Sequence, residues 1–344
     1  MNDSKLERNV FLTGADGMLG ASICRELIKQ GYEVKAMVLP ERNTNVLKGL
    51  NIQLAKGNLL NKDFLEREMA TCAFVIHAAA LTNVWPRRSE KVRTVNIEGT
   101  RNIMEVAEKL KMKRMVHIGT ACSFSFGPKD KPGDETNLFD GWKYGMDYID
   151  SKYLAQQQLL NRHSQTGFPV VIVNPTYMIG PFDSGPSSGK MLVELYNNRL
   201  PGYSPGGKNF VYSADVAVAA VNALKFGRDG ECYIAGNENL TYKEFFIKAC
   251  AVGDKKFTLF RVPGFLVIGL GLINSIIARI INKPPDLSYS MARVACIRQI
   301  YSSKKAQLEL KMPQTPIEEG IVQCLSWFKE NGYIKGKIKR QSFT

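Results

Sequence analysis

The chain has 344 residues, of which 44% are hydrophobic and 23% charged, a balance that suits a globular protein of about two domains. Its seven cysteines form no C-x-x-C pair and its three histidines show no ligand spacing, which argues against a disulfide scaffold and a metal centre and for a reducing, cytoplasmic compartment. The net charge of +14 is dispersed and not interleaved with aromatics, so nucleic acid is not an expected partner. The excess fits solubility with a basic, disordered tail over residues 335–344, or attraction to phosphorylated ligands or an anionic membrane surface. The polar segment Met1–Asn9 has no apolar run of the signal-peptide kind.

In chain order, Asn9–Thr13 reads as a strand, and Met18–Gln30 as a helix ended by Gly31. Strands follow at Glu33–Leu39, stopped by Pro40, at Ile52–Lys56 and at Phe74–Ala79. Val95–Leu110 is helical, Arg114–Gly119 a fifth strand, Met146–Ser164 a helix and Pro169–Val173 a sixth strand. This alternation predicts an α/β fold with a Rossmann-type, doubly wound parallel sheet. After Pro175 the pattern changes. Residues 183–207 form a Gly-, Pro- and Ser-rich loop around one helix, Lys190–Asn197; Asp215–Lys225 is helical, and helices dominate from about Gly236. The expected division is a dinucleotide-binding domain over 1–175 with about 207–232, and a smaller, mainly helical substrate lobe over about 176–206 and 233–334.

The most informative motif is Thr13-Gly14-Ala15-Asp16-Gly17-Met18-Leu19-Gly20, set between the first strand and first helix. Gly14 permits the tight turn, Gly17 lets the backbone approach a pyrophosphate, and Gly20 lets helix and strand pack closely. The helix N-terminus then offers N–H groups and partial positive charge to the phosphates.

The G-x-x-G-x-x-G spacing resembles that of the extended short-chain dehydrogenase/reductase superfamily, the NAD-dependent epimerase/dehydratase group. The likeness continues through Gly57-Asn58-Leu59, His77-Ala78-Ala79-Ala80 and Asn96-Ile97-Glu98-Gly99-Thr100. It implies a nicotinamide cofactor touched by the glycine turn, by Asn58 and Leu59 beside the adenine, by Ala78, Ala79 and Ala80 beneath a ribose, and by Pro175. The second strand ends without the acid that would bond a ribose 2′-hydroxyl, and Arg42 follows, able to pair with a 2′-phosphate. NADP(H) is therefore favoured over NAD(H).

Tyr148 and Lys152 stand at i and i+4 on one helix face. Tyr301/Lys305 and Tyr333/Lys337 share the spacing, but only the first pair falls between the fifth and sixth strands. A nearby ammonium lowers a phenol's pKa, which makes Tyr148 the expected proton donor. By resemblance Lys152 also holds the nicotinamide ribose, and Thr120 orients the substrate carbonyl, with Ser123 as a fallback. Ala121 and Cys122 stand where related sugar-nucleotide dehydratases carry acids, so dehydration is not expected. His77 and His117, within strands, read as core residues or as residues that support the site from behind.

The run Asn174-Pro175-Thr176-Tyr177-Met178-Ile179-Gly180-Pro181-Phe182 resembles the dihydroflavonol-4-reductase and 3β-hydroxysteroid dehydrogenase branch more than sugar-nucleotide epimerases, which often have Asn where this chain has Tyr177. The uncharged segment Val262–Ala278 has three readings: a buried helix, a lid over an apolar substrate, or a membrane-surface helix. The expected function is NAD(P)H-dependent interconversion of a small, apolar ketone or aldehyde and its alcohol. The alternatives are an NDP-sugar epimerase with tightly bound NAD and a non-enzymatic dinucleotide sensor. The resemblance also allows a homodimer.

Overall fold

The computed structural model describes residues 8–335; residues 1–7 of the N-terminal segment read above and the expected tail beyond Lys335 lie outside them. The strands are β1 Asn9–Thr13, β2 Glu33–Val38, β3 Gln53–Lys56, β4 Phe74–His77, β5 Arg114–Ile118, β6 Val170–Pro175, β7 Tyr177–Ile179, β8 Gly202–Tyr203, β9 Gly207–Tyr212, β10 Cys232–Ala235, β11 Glu238–Thr241 and β12 Phe260–Arg261. The helices are α1 Met18–Lys29, α2 Lys62–Met69, α3 Glu90–Arg93, α4 Gly99–Lys109, α5 Asp147–Thr166, α6 Lys190–Tyr196, α7 Ser213–Phe226, α8 Tyr242–Val252, α9 Gly264–Ile280, α10 Tyr289–Ala295, α11 Lys304–Glu309 and α12 Ile317–Glu330.

Seven strands form one parallel sheet in the order β10-β6-β5-β4-β1-β2-β3. Period-two alternation explains why both faces are covered. Val10 and Leu12 of β1 join a core with α1 and α7, while Phe11 between them joins another with α2, α4 and α5. The strand order reverses between β1 and β4, so the C-terminal ends of these two strands flank the crevice where such sheets bind ligands.

Two elements of this sheet layer were not legible in the pattern. α2 is only eight residues long, started by Asn61, whose side chain accepts from the Phe64 N–H. β10 is a four-residue run that extends the sheet beyond β6.

From Gly236 onward the chain is mainly helical, as expected, carrying α8 to α12 with the short strands β11 and β12 among them. β11 pairs antiparallel with β9, and β9 pairs parallel with β7, giving a separate three-stranded sheet. Residues 207–212, expected with the dinucleotide domain, therefore pair in this small sheet. There Phe210 stacks on Phe245 of α8 with centroids 4.2 Å apart, inside the core built from α6, α8 and α12.

The reading of Val262–Ala278 as a buried helix is overturned. The segment forms α9, but only Val267, Gly271, Ser275 and Ala278 are covered. They make one stripe, i, i+4, i+8 and i+11, facing α10. A Cβ on Gly271 would lie 2.5 Å from the Ala292 Cβ, so the helices meet through small residues and the larger ones point away.

Candidate active site

The glycine turn sits at the sheet's switch point. Gly14 has φ +70°, a left-handed conformation that glycine adopts without strain. A Cβ there would lie 2.7 Å from the Ala79 backbone nitrogen, so the β1 and β4 ends touch. Gly20 is equally constrained: its Cβ would overlap the Gly14 carbonyl oxygen and lie 2.8 Å from the Ala15 Cα. Gly17 is exposed and precedes α1 with no side-chain cap. The first N–H groups of α1 thus have no capping side chain, which fits a phosphate at this helix end.

Other expected cofactor residues surround this turn in different ways. Arg42 ion-pairs with Asp16 at 2.9 Å, which brings the end of β2 to the glycine turn. Ala78, Ala79 and Ala80 are half-buried beyond β4. Asn58 is exposed and its carbonyl Oδ1 accepts from the Leu60 N–H at 3.0 Å, while Leu59 is buried. Met18 and Leu19 face the core, and Pro175 closes β6. The Thr13 hydroxyl turns inward: it accepts from the Ala79 N–H at 3.1 Å and lies 2.8 Å from His77 Nδ1.

His77 begins a buried polar chain. Its Nε2 meets Thr100 Oγ1 at 3.0 Å, and Thr100 donates to the Asn96 carbonyl at 2.7 Å. The Asn96 amide donates to Ser151 Oγ at 2.9 Å on α5. Asn96 lies in a π-helical turn, Thr94–Glu98, between α3 and α4; such turns recur at functional sites. Burial holds His77 down at about 3 and His117 well below the ordinary imidazole range, so both rings are neutral near pH 7.

The catalytic candidates come together on β5 and α5. The Tyr148 phenol lies close to the Thr120 hydroxyl. Thr120 is fixed from behind, its N–H donating to Asn174 Oδ1 at 3.0 Å. Lys152, 4% exposed, donates to the Ile118 carbonyl at 2.6 Å and stands 3.4 Å from His117 Nε2. The expected lowering of the tyrosine is corrected here. Burial, reinforced by Cys122, pushes Tyr148 up to about 12, against the opposing influence of Thr120, and burial pulls Lys152 down to about 7. Lys152 reaches across to the end of β5 while the phenol faces Thr120, so the ammonium does not set the phenol's acidity in the protein alone.

The other two Y-x-x-x-K pairs go elsewhere. Tyr301 donates to the Phe124 carbonyl at 3.1 Å, and Lys305 pairs with Glu231 at 2.6 Å. Lys337 lies outside the described residues. Ser123 is buried with its hydroxyl unpartnered.

Several positioning residues had no sequence motif. Asp147, the first residue of α5, accepts from the Ser89 N–H at 2.6 Å and from Arg88 at 2.9 Å, and Arg88 also holds Asp150 at 2.9 Å. These bonds tie the first turn of α5, and so Tyr148, to residues 88–89. Lys208, half-buried, donates to Gln299 Oε1 at 2.6 Å and stands 5.1 Å over the Tyr177 ring. Only the fold brings these long-range partners together. Among the described residues no group of His, Cys, Asp or Glu is arranged to hold a metal ion.

A phosphate-ready helix end at the switch point, beside a half-buried tyrosine next to a buried threonine and a buried lysine, defines a nicotinamide-dependent enzyme of the extended short-chain dehydrogenase/reductase type. Residues 10–236 match the model of the NAD dependent epimerase/dehydratase family, and the chain belongs to that family. It is 28% identical over 330 residues to a Synechocystis sp. protein named after dihydroflavonol 4-reductase, covering 94% of this chain and 96% of that one. It is 26% identical to the Candida albicans sterol-4-alpha-carboxylate 3-dehydrogenase, decarboxylating, covering 94% and 98%. Among solved structures, that of gox2253 superposes with a TM-score of 0.84 at 26% identity, covering 96% of this chain and 100% of the other.

Proposed function

We propose that this protein is an NADPH-dependent carbonyl reductase, or in reverse an alcohol dehydrogenase, acting on a small apolar substrate. The observation that carries the reading is the placement of the Tyr148 phenol beside Thr120 in an apolar setting. Tyr148 packs with Cys122, Val84, Phe139, Val294 and Ile297 around Tyr144, Met146 and Ile149. Such a wall suits an apolar ketone better than a sugar diphosphate. The names of the dihydroflavonol and sterol relatives point the same way.

The residues divide the work as follows. The glycine turn and the α1 N-terminus hold the pyrophosphate, Arg42 a 2′-phosphate, and Lys152 the nicotinamide ribose hydroxyls. When bound, the reduced nicotinamide supplies the hydride. Thr120 Oγ1 orients the carbonyl oxygen, and Tyr148 Oη releases its proton to that oxygen as negative charge develops there. Its high pKa keeps the proton in place at neutral pH until the alkoxide forms. Asn174 keeps Thr120 at the end of β5.

The test is cofactor oxidation across a panel of apolar ketones and aldehydes, with Tyr148→Phe as control. Turnover by the parent chain that vanishes in the variant supports the reading; undiminished turnover in the variant refutes the assigned acid.

A second reading, an NDP-sugar epimerase with tightly bound NAD, is favoured by one observation. Lys208 brings a cation next to Tyr177, where a substrate phosphate would find a partner. NAD that survives dialysis, with thermal stabilisation by UDP-sugars, would establish it instead.

A further inference from the structure

The outward surface of α9 is built from side chains that soluble proteins normally bury. Phe265, Leu270, Ile273, Ile276, Ile277 and Ile280 are each between 47% and 78% exposed, and Leu266, Leu272 and Ile281 extend the patch. They flank the small-residue stripe on both sides, so the greater part of the helix circumference is apolar. Contiguous apolar patches of this kind mark interaction sites. α9 has 17 residues, about 25 Å of helix, and no helix among the described residues is long and apolar enough to cross a membrane.

Charge identifies what covers the patch. Residues 254–298 carry seven basic residues against two acids, Asp254 and Asp286; Asp286 is engaged by Lys190 at 2.8 Å. Lys256, Arg261, Arg279, Lys283, Arg293 and Arg298 are all exposed. Arg261 and Arg279 bracket the apolar helix at its two ends. A second copy of this face would set like charges against like in a two-fold contact, which opposes self-association. An anionic lipid surface complements both features: acyl chains receive the apolar side chains, and headgroups receive the basic rim.

We propose that α9 is a membrane-docking helix that lies in the interfacial plane of an anionic phospholipid bilayer. Its partner α10 leads directly to the site. Val294 of α10 and Ile297 just after it pack on the same Tyr144–Met146–Ile149 cluster as Tyr148. Docking through α9 therefore sets the apolar wall of the site against the lipid phase, and the substrate is an apolar carbonyl or alcohol dissolved in that phase. The substrate claim rests on the reductase reading; the docking claim does not, and the two are measured separately.

The experiment uses the full chain and flotation with vesicles of phosphatidylcholine alone or enriched in phosphatidylglycerol. The expected result is binding to the anionic vesicles, weakened by about tenfold or more at high salt and in Arg279→Gln/Lys283→Gln, and abolished in Ile273→Glu/Ile277→Glu. Both variants alter exposed side chains, so unchanged melting temperature and NADPH affinity are expected in each. Three results overturn docking: failure to float with anionic vesicles, equal binding to pure phosphatidylcholine, or a parent dimer in light scattering that the Glu variant dissolves. Docking without faster turnover of vesicle-dissolved ketones overturns only the substrate claim. Loss of all turnover in detergent-free solution and on vesicles alike overturns the reductase reading and leaves docking standing.

Discussion

The Lys152 ammonium donates to the Ile118 carbonyl at 2.6 Å, at the end of β5. That bond aims a buried cation at the crevice without touching the Tyr148 phenol. Burial lowers Lys152 to about 7, while the unfolded chain keeps its proton to about pH 10.4. Between these values the unfolded state binds more protons, so stability rises with pH across that window, by at most about 1.4 kcal/mol per pH unit. Lys152→Met is expected to flatten this slope, as read from urea unfolding of the cofactor-free protein at neutral and alkaline pH. An unchanged slope would show that Lys152 is not the titrating group.

His77 makes the complementary prediction at acid pH. Its folded value is lowered to about 3 by burial, whereas the unfolded ring protonates near 6.5. As the pH falls through that interval the unfolded state takes up a proton that the folded state refuses. Stability is thus lost from about pH 6.5 downward, and His117, lowered for the same reason, steepens the loss. His77→Asn should reduce the acid slope even where its lost bonds to Thr13 and Thr100 lower stability at every pH. Chemical unfolding series at several pH values would separate the two effects.

Tyr148→Phe removes the one hydroxyl beside Thr120 while keeping the ring in its apolar cluster. Turnover should fall by about two to four orders of magnitude, with NADPH affinity nearly unchanged. Fluorescence titration of the reduced cofactor beside steady-state assays reads both quantities.

Arg42 is two-thirds exposed and held by Asp16 in the salt bridge at 2.9 Å. If it receives a 2′-phosphate, Arg42→Ala should weaken NADPH binding by about tenfold or more and leave NADH nearly untouched. Tighter binding of NADH than NADPH by the parent chain would reverse the assigned preference.

Gly20→Ala tests the cradle itself. The added methyl would meet the Gly14 carbonyl oxygen and the Ala15 Cα, both backbone atoms, so the turn must move. Overpacking of this kind costs about 1–3 kcal/mol. A lower melting temperature together with weaker binding of either cofactor is expected, and calorimetry with and without cofactor would show it.

The sequence by itself determined the parallel-sheet scaffold and the glycine turn, because both rest on local rules: alternation along β1, a helix opening at Met18 and a backbone at Gly14 that favours glycine. It also singled out Tyr148, Lys152 and Thr120, through their place between β5 and β6 rather than their spacing. The tertiary structure decided what depends on distant partners. Asn174 reaches Thr120, Asp147 reaches Ser89, and Lys208 meets Gln299 across separations that no motif encodes. It also reversed the acidity expected of Tyr148, since desolvation depends on everything packed around a group. The same holds for α9: seventeen residues in a row cannot say which of their faces the rest of the chain covers, and here the packing against α10 covers only the stripe of small ones.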